Sequence, residues 1–204
     1  MHPIWTSLLI VALAAVAPAQ TKQPPADAPL LARQSTPPDD GKDHLDDPNW
    51  LGPYVPTPAA VVNAALELAK VGESDLVYDL GSGDGRIILA AAQRFQARSV
   101  GVEWNEALCE KTSADIRRLG LEGRVKVIQG DIFEQDVSAA TVVTAYLLPK
   151  SWKRLAPILE RQLSKGARVV SVNDPVPGWP VVEKKHIKGE SAITSWDLYL
   201  YRMR

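Results

Sequence analysis

Three carboxylates, Asp79, Glu103 and Asp131, and three glycines, Gly81, Gly83 and Gly85, have the types and spacing to do chemistry together. The glycines stand in Val77-Tyr78-Asp79-Leu80-Gly81-Ser82-Gly83-Asp84-Gly85-Arg86-Ile87, where a short apolar run ends in an acid, turns, and enters an amphipathic segment. Glycine lets such a turn close tightly and lets a ligand approach the backbone without a Cβ in the way. The helix start that follows directs free N–H groups at whatever occupies the turn. The spacing is G-x-G-x-G. A dinucleotide fingerprint, G-x-G-x-x-G, needs its third glycine at position 86, where this chain has Arg86. Asp131 lies in Gln129-Gly130-Asp131-Ile132-Phe133. Each acid taken alone reads as an ordinary strand-end or loop charge. Three of them at the carboxyl ends of successive apolar runs are where open α/β sheets bind ligands.

Those positions require a particular order of elements. Thr57-Pro58 reads as N-cap and first turn of a helix to about Lys70, with Val61, Val62, Ala65, Leu66 and Leu68 on one face. Leu76–Leu80 is a strand and Arg86–Phe95 its following helix. Ser99–Glu103 is a second strand, and Asn105 caps a helix that Gly120 ends near Leu119. Val125–Gln129 and Thr141–Leu147 are the third and fourth strands. Pro149 or Ser151 opens a helix to about Leu163, with Gly166 just beyond. Ala167–Val172, Val181–Ile187 and Ser195–Tyr201 complete seven strands. Strands alternating with helices, then strands without a helix between them, predict an α/β fold whose mostly parallel sheet has an antiparallel edge.

The remaining sequence bounds the partners. The chain has 204 residues and a net charge of -1, so no overall field argues for nucleic acid or an anionic surface. Cys109 is the single cysteine, which excludes an internal disulfide and a cysteine zinc site; on its helix it reads as a small core residue. His2, His44 and His186 are too scattered for a metal cluster, and no metal is expected. Residues 4–17 form an apolar run too short to span a bilayer comfortably, followed by Ala17-Pro18-Ala19. Residues 1–19 therefore resemble a signal peptide or hydrophobic leader, although the n-region lacks Lys and Arg. Export or membrane tethering is the expectation, with a cytoplasmic protein as the alternative. Residues 20–48, rich in Pro, Asp and Gln, read as a disordered linker. The folded domain is expected over 49–204, as a monomer.

The acidic-x-Gly-x-Gly-x-Gly run after a strand resembles motif I of class I S-adenosylmethionine (SAM) methyltransferases. That resemblance implies a Rossmann-like sheet of order 3-2-1-4-5-7-6 and SAM as cofactor. It implies that Gly81, Ser82, Gly83 and Gly85 form the cofactor loop and that Asp79 faces the cationic methionine end. Glu103 would accept from the ribose hydroxyls, each charge-assisted bond contributing about 1.5–3 kcal/mol. Asp131 would accept from the adenine amino group, with Ile132 packing the ring. Gly52-Pro53-Tyr54-Val55-Pro56-Thr57-Pro58 and Gly166-Ala167-Arg168-Val169-Val170-Ser171 narrow the resemblance. Together they are similar to small protein-lysine methyltransferases, the family that includes the ATP synthase c-subunit lysine methyltransferase and archaeal relatives, over roughly residues 52–185. The family resemblance makes Tyr54 and Thr57 cofactor contacts; the ordinary alternative is that Tyr54 packs the first helix onto the sheet.

The acceptor side of this fold follows strand four, at Ala145-Tyr146-Leu147-Leu148-Pro149. Enzymes that methylate nucleobase amines usually carry Asn/Asp-Pro-Pro-Tyr/Phe there. Its absence and the near-neutral charge disfavour nucleic acid. An apolar rim with one hydroxyl suits a lysine channel, with Tyr146 as the candidate catalytic residue lining it. No residue qualifies as a general base. Asp174-Pro175 and Trp179-Pro180 either shape the substrate mouth or brace a loop. The alternatives to a protein-lysine acceptor are a small-molecule methyltransferase on the same fold and a non-catalytic SAM-binding module.

Overall fold

The computed structural model describes residues 54–189 and 194–204. The leader, the linker, the domain boundary at 49, and Gly52 and Pro53 of the segment before the first helix lie outside the described residues.

The elements run α1 Ala59–Leu68, β1 Leu76–Leu80, α2 Arg86–Phe95, β2 Arg98–Glu103, α3 Glu106–Arg118, β3 Val125–Gln129, β4 Val142–Ala145, α4 Pro149–Gln162, β5 Arg168–Val172, β6 Glu183–Lys188 and β7 Ser195–Arg202. One sheet holds all seven strands in the order β3-β2-β1-β4-β5-β7-β6, as the family resemblance implies. β1 to β5 are parallel, and β7 runs antiparallel to both neighbours. Strand order reverses between β1 and β4, which opens the ligand crevice at their carboxyl ends.

Several boundaries differ from expectation by one or two residues, and three of them have a visible reason or consequence. The N-cap of α1 is Pro58 rather than Thr57. Pro58 keeps an extended ψ of 150°, so helical geometry starts one residue later, and its carbonyl accepts from Val61 and Val62 at 2.9 and 3.0 Å. β4 stops at Ala145 because pairing with both neighbours ends there, opposite Leu80 and Ser171. β6 starts at Glu183, leaving Val181 and Val182 exposed. The Asn105 cap holds: its side chain accepts from the Leu108 amide at 3.1 Å.

The sheet is buried on both faces. Val61, Val62 and Leu66 of α1 pack with Val77, Val142, Val170 and Leu198 on one. Trp152, Leu155 and Leu159 of α4 pack with Leu80, Val143, Val169 and Tyr201 on the other. Fully burying each such side chain contributes about 1.5–3 kcal/mol. The period of two puts Asp79 and Thr144 on the α1 side of their strands, with Val77 and Val142. A rigid two-faced layer thus holds the strand ends that carry the acids.

Candidate active site

Asp79 is the penultimate residue of β1, before fully buried Leu80, and is itself 3% exposed. Burial pushes its carboxyl up to about 7; the Thr144 hydroxyl, donating at 2.7 Å, works the other way, and nearby Glu103 and Asp84 add to the rise. The site therefore carries an acid that a cation would ionise.

The loop after β1 turns through left-handed glycines, with φ of 83°, 55° and 78° at Gly81, Gly83 and Gly85. Four of its N–H groups are taken up within the protein. Gly81 and Ser82 both donate to the Val102 carbonyl at 2.9 and 3.0 Å, Gly83 to Glu103 Oε2 at 2.7 Å, and Gly85 to the Ser82 carbonyl at 2.9 Å. The turn is folded onto β2 and onto itself, so those donors are spent. Ser82 Oγ is buried without a hydrogen-bond partner, against Gly101. A diphosphate needs open donors and positive potential. This site offers closed donors and the acids Asp79 and Glu103, which suit a cationic ligand, while Asp84 is paired with Arg86.

Glu103 ties the acid of β2 to the glycine turn: Oε2 takes the Gly83 amide, and Oε1 takes the Asn105 amide at 2.9 Å. Trp104, the next residue, is 67% exposed beside it, a large aromatic surface that the sequence reading passed over. Its signal was available, since an aromatic directly after a strand-end acid has no core to enter. Asp131 holds its own loop, accepting from the Phe133 amide at 2.8 Å. Ile132 is 3% exposed and packs with Leu80, Val102 and Phe133 in the α4-side core. Cys109 is buried, its thiol pushed up to about 11 by burial, then Glu103 and Glu106, and it behaves as the core residue expected.

The segment before α1 crosses the glycine loop. A Cβ on Gly83 would lie 2.5 Å from Tyr54 Cε2, so the ring rests on the bare backbone there. Burial first, and then Asp84, push the Tyr54 hydroxyl up to about 12. Arg86 grips Asp84 with two bonds of 2.7 and 2.8 Å and donates to the Thr57 carbonyl at 2.7 Å. Thr57 is buried. Burial opposes ionisation of Asp84, but Arg86 and then Lys111 hold its carboxyl below the ordinary range.

At the end of β4, half-buried Tyr146 packs against the α1-side core, and its hydroxyl accepts from Asn173 Nδ2 at 2.7 Å. Asn173 follows β5 with φ of 66°, and pairs by its backbone N–H and its side-chain oxygen with Asp197 of β7, at 2.7 and 3.3 Å. The sequence reading singled out Asp174-Pro175 and missed Asn173. An asparagine just past a strand and before Asp-Pro is a left-handed turn signal that could have found it. Among the described residues, no group of three or more His, Cys, Asp or Glu side chains is placed to hold a metal ion.

The residues present fit SAM, whose sulfonium and ammonium groups match the acids and whose adenosine needs no phosphate cradle. A family model, the ANTKMT methyltransferase domain, matches residues 79–183. The protein-lysine N-methyltransferase of Saccharolobus islandicus (strain REY15A) is 46% identical over 150 residues, covering 73% of this chain and 92% of that protein. The ATP synthase c-subunit lysine N-methyltransferase of Homo sapiens is 32% identical over 145 residues, covering 71% of this chain and 60% of that protein. A crystal structure named as an RNA methyltransferase from Salinibacter ruber, in complex with S-adenosyl-L-homocysteine, superposes with a TM-score of 0.67 at 43% identity, covering 73% of this chain and 94% of that one. The chain belongs to the ANTKMT methyltransferase domain family and is an S-adenosylmethionine-dependent methyltransferase.

Proposed function

We propose that the protein methylates lysine side chains of proteins. The likeness to the archaeal protein-lysine enzyme, which spans nearly all of that relative, carries this reading. When bound, SAM supplies the electrophilic methyl group and its own leaving group. The protein's task is to hold, align and exclude water. In this reading Asp79 takes the cationic amino-acid end and Glu103 the ribose hydroxyls. Asp131 and Ile132 flank the adenine, Gly81, Ser82, Gly83 and Gly85 give the close backbone approach, and Tyr54 and Thr57 cover it.

Tyr146 lines the acceptor side. Asn173 occupies one acceptor position on the tyrosine oxygen and steadies it. The remaining lone pair can accept an amine N–H and so aim the nitrogen's lone pair. A lysine must arrive neutral, and an apolar rim that includes exposed Leu148 lowers its pKa by desolvation.

A second reading, an RNA acceptor, has the Salinibacter relative behind it. The residues after β4, Ala145-Tyr146-Leu147-Leu148-Pro149, lack the nucleobase-amine motif and speak against it. A tritiated-SAM transfer assay on a lysate of the source, compared with Asp79→Ala, separates them. Label that is protease-sensitive and runs as methyl-lysine supports the protein acceptor. Nuclease-sensitive label supports RNA, and label in small solutes supports a metabolite acceptor. The reading also takes the protein as a monomer, exported or tethered through its leader; gel filtration and cell fractionation test both.

A further inference from the structure

The cation at the first residue of α2 is out of place for a helix. Arg86 sits where the macrodipole favours anions, and where the dinucleotide pattern would have glycine. Its guanidinium, 10% exposed, is not solvated but shared among three places. It grips Asp84 of the glycine loop with two bonds, donates to the Thr57 carbonyl at 2.7 Å, and lies 3.5 Å from the Tyr54 hydroxyl. Tyr54 in turn rests on Gly83. Arg86 thus holds Asp84 of the glycine loop with one part of its guanidinium and reaches Thr57 and Tyr54 with the rest.

We propose that Arg86 is a latch for the cofactor: it locks residues 54–57 onto the glycine loop, and so sets how long SAM or its product stays bound, without entering the methyl-transfer step. The inference rests on the cofactor lying at this loop. The grip on Thr57 is through a backbone carbonyl, so the strap is held whatever side chain stands at 57. The pairing also neutralises Asp84, so Asp79 and Glu103 are left as the acids facing a cationic ligand. Arg86 is thus a positioning residue that acts through Asp84, Thr57 and Tyr54.

The test measures S-adenosylhomocysteine binding by calorimetry and its dissociation rate by stopped flow, on the full chain. Arg86→Ala is expected to weaken binding by about ten- to hundredfold, because the released segment no longer covers the ligand, and to do so through a faster off-rate. At saturating SAM its kcat stays within about threefold of the parent. Proteolysis within residues 54–58 is expected to quicken even with ligand present. Arg86→Lys, which keeps the charge but not the fork, falls between. Tyr54→Ala added to Arg86→Ala adds little, because both release the same segment. Arg168→Lys, weakened at a pair remote from the loop, keeps parental affinity and serves as the stability control. Parental affinity in Arg86→Ala overturns the latch, as does a loss of kcat at unchanged affinity, or an equal loss of affinity in the control. Glu103→Ala separates the two levels. If it leaves binding untouched, the cofactor's place at the loop is wrong; if it abolishes binding while Arg86→Ala does not, only the latch is.

Discussion

Asp79 and Thr144 are register partners on adjacent parallel strands, and the Thr144 hydroxyl donates a 2.7 Å hydrogen bond to the Asp79 carboxylate. Burial lifts that carboxyl to about 7. The native state therefore holds a proton that the unfolded chain releases near pH 4, and this group's contribution to stability falls as pH rises from about 4 to about 7. A cationic ligand reverses the preference. SAM is expected to bind more tightly as pH rises through about 7, by up to about tenfold per unit below the midpoint. Calorimetric titrations at several pH values check it, and a flat affinity profile would rule out Asp79 as the cation's partner. Thr144→Val removes the hydroxyl that favours the ionised form, so its binding midpoint should move to higher pH.

Gly83→Ala and Gly85→Ala should fail in different ways. Both put a side chain on a left-handed backbone, at φ of 55° and 78°, which costs about 1 kcal/mol or more before any clash. At Gly83 the new Cβ meets the half-buried Tyr54 ring. At Gly85 it meets Thr112 Cγ2 at 2.4 Å, inside the fully buried face of α3. Gly83→Ala is expected to lose SAM affinity with a modest fall in Tm. Gly85→Ala should lose Tm first. Equal profiles for the two would show that Tyr54 does not cover the loop.

Glu103→Gln keeps the shape but not the charge that holds the Gly83 and Asn105 amides. In the proposed reading Glu103 also accepts from the ribose hydroxyls, and a charge-assisted bond weakened there is worth about 1.5–3 kcal/mol, so SAM binding should fall by about tenfold or more. Equilibrium binding reads this directly. A parental Kd would remove Glu103 from the cofactor's contacts.

Tyr146→Phe and Asn173→Gly address the acceptor side. Glycine at 173 accepts the φ of 66° without strain, so the substitution removes the side chain and spares the turn. Both variants should lower kcat by about tenfold while leaving SAM affinity alone, and the double variant should be no worse than Tyr146→Phe. Additive losses would mean that Asn173 acts other than through the tyrosine.

Arg168→Ala is expected to be a stability variant only. Arg168 pairs with Asp75 and donates to the Ala69 carbonyl at 2.6 Å, while Asp75 also receives the Thr141 hydroxyl at 2.7 Å. Removing one member strands a largely buried carboxylate, at a cost of about 3–5 kcal/mol. Urea denaturation should show it, with SAM affinity per folded molecule unchanged.

Much of the molecule was legible in the residue order, because strands and helices write different periods. The run to Leu80, the Asn105 cap and the terminal strands without a helix led to the observed element order and the antiparallel edge, while the sheet order came from the family resemblance. The boundaries that moved did so for non-local reasons. β4 ends at Ala145 because its partners end, and pairing partners lie far away in sequence.

What the chain alone determined was the acid set, the glycine turn and the absence of a dinucleotide pattern, all of which depend on residue type and short spacing. Tertiary structure decided what those groups face. It turned the loop's N–H groups inward onto Val102 and Glu103, gave Asp79 a buried partner 65 residues away, and brought Asn173 to Tyr146. It also gave Arg86 the Thr57 carbonyl as a partner, 29 residues earlier. Hydrogen-bond partners and desolvation are properties of neighbours in space, and only the closed sheet supplies those neighbours.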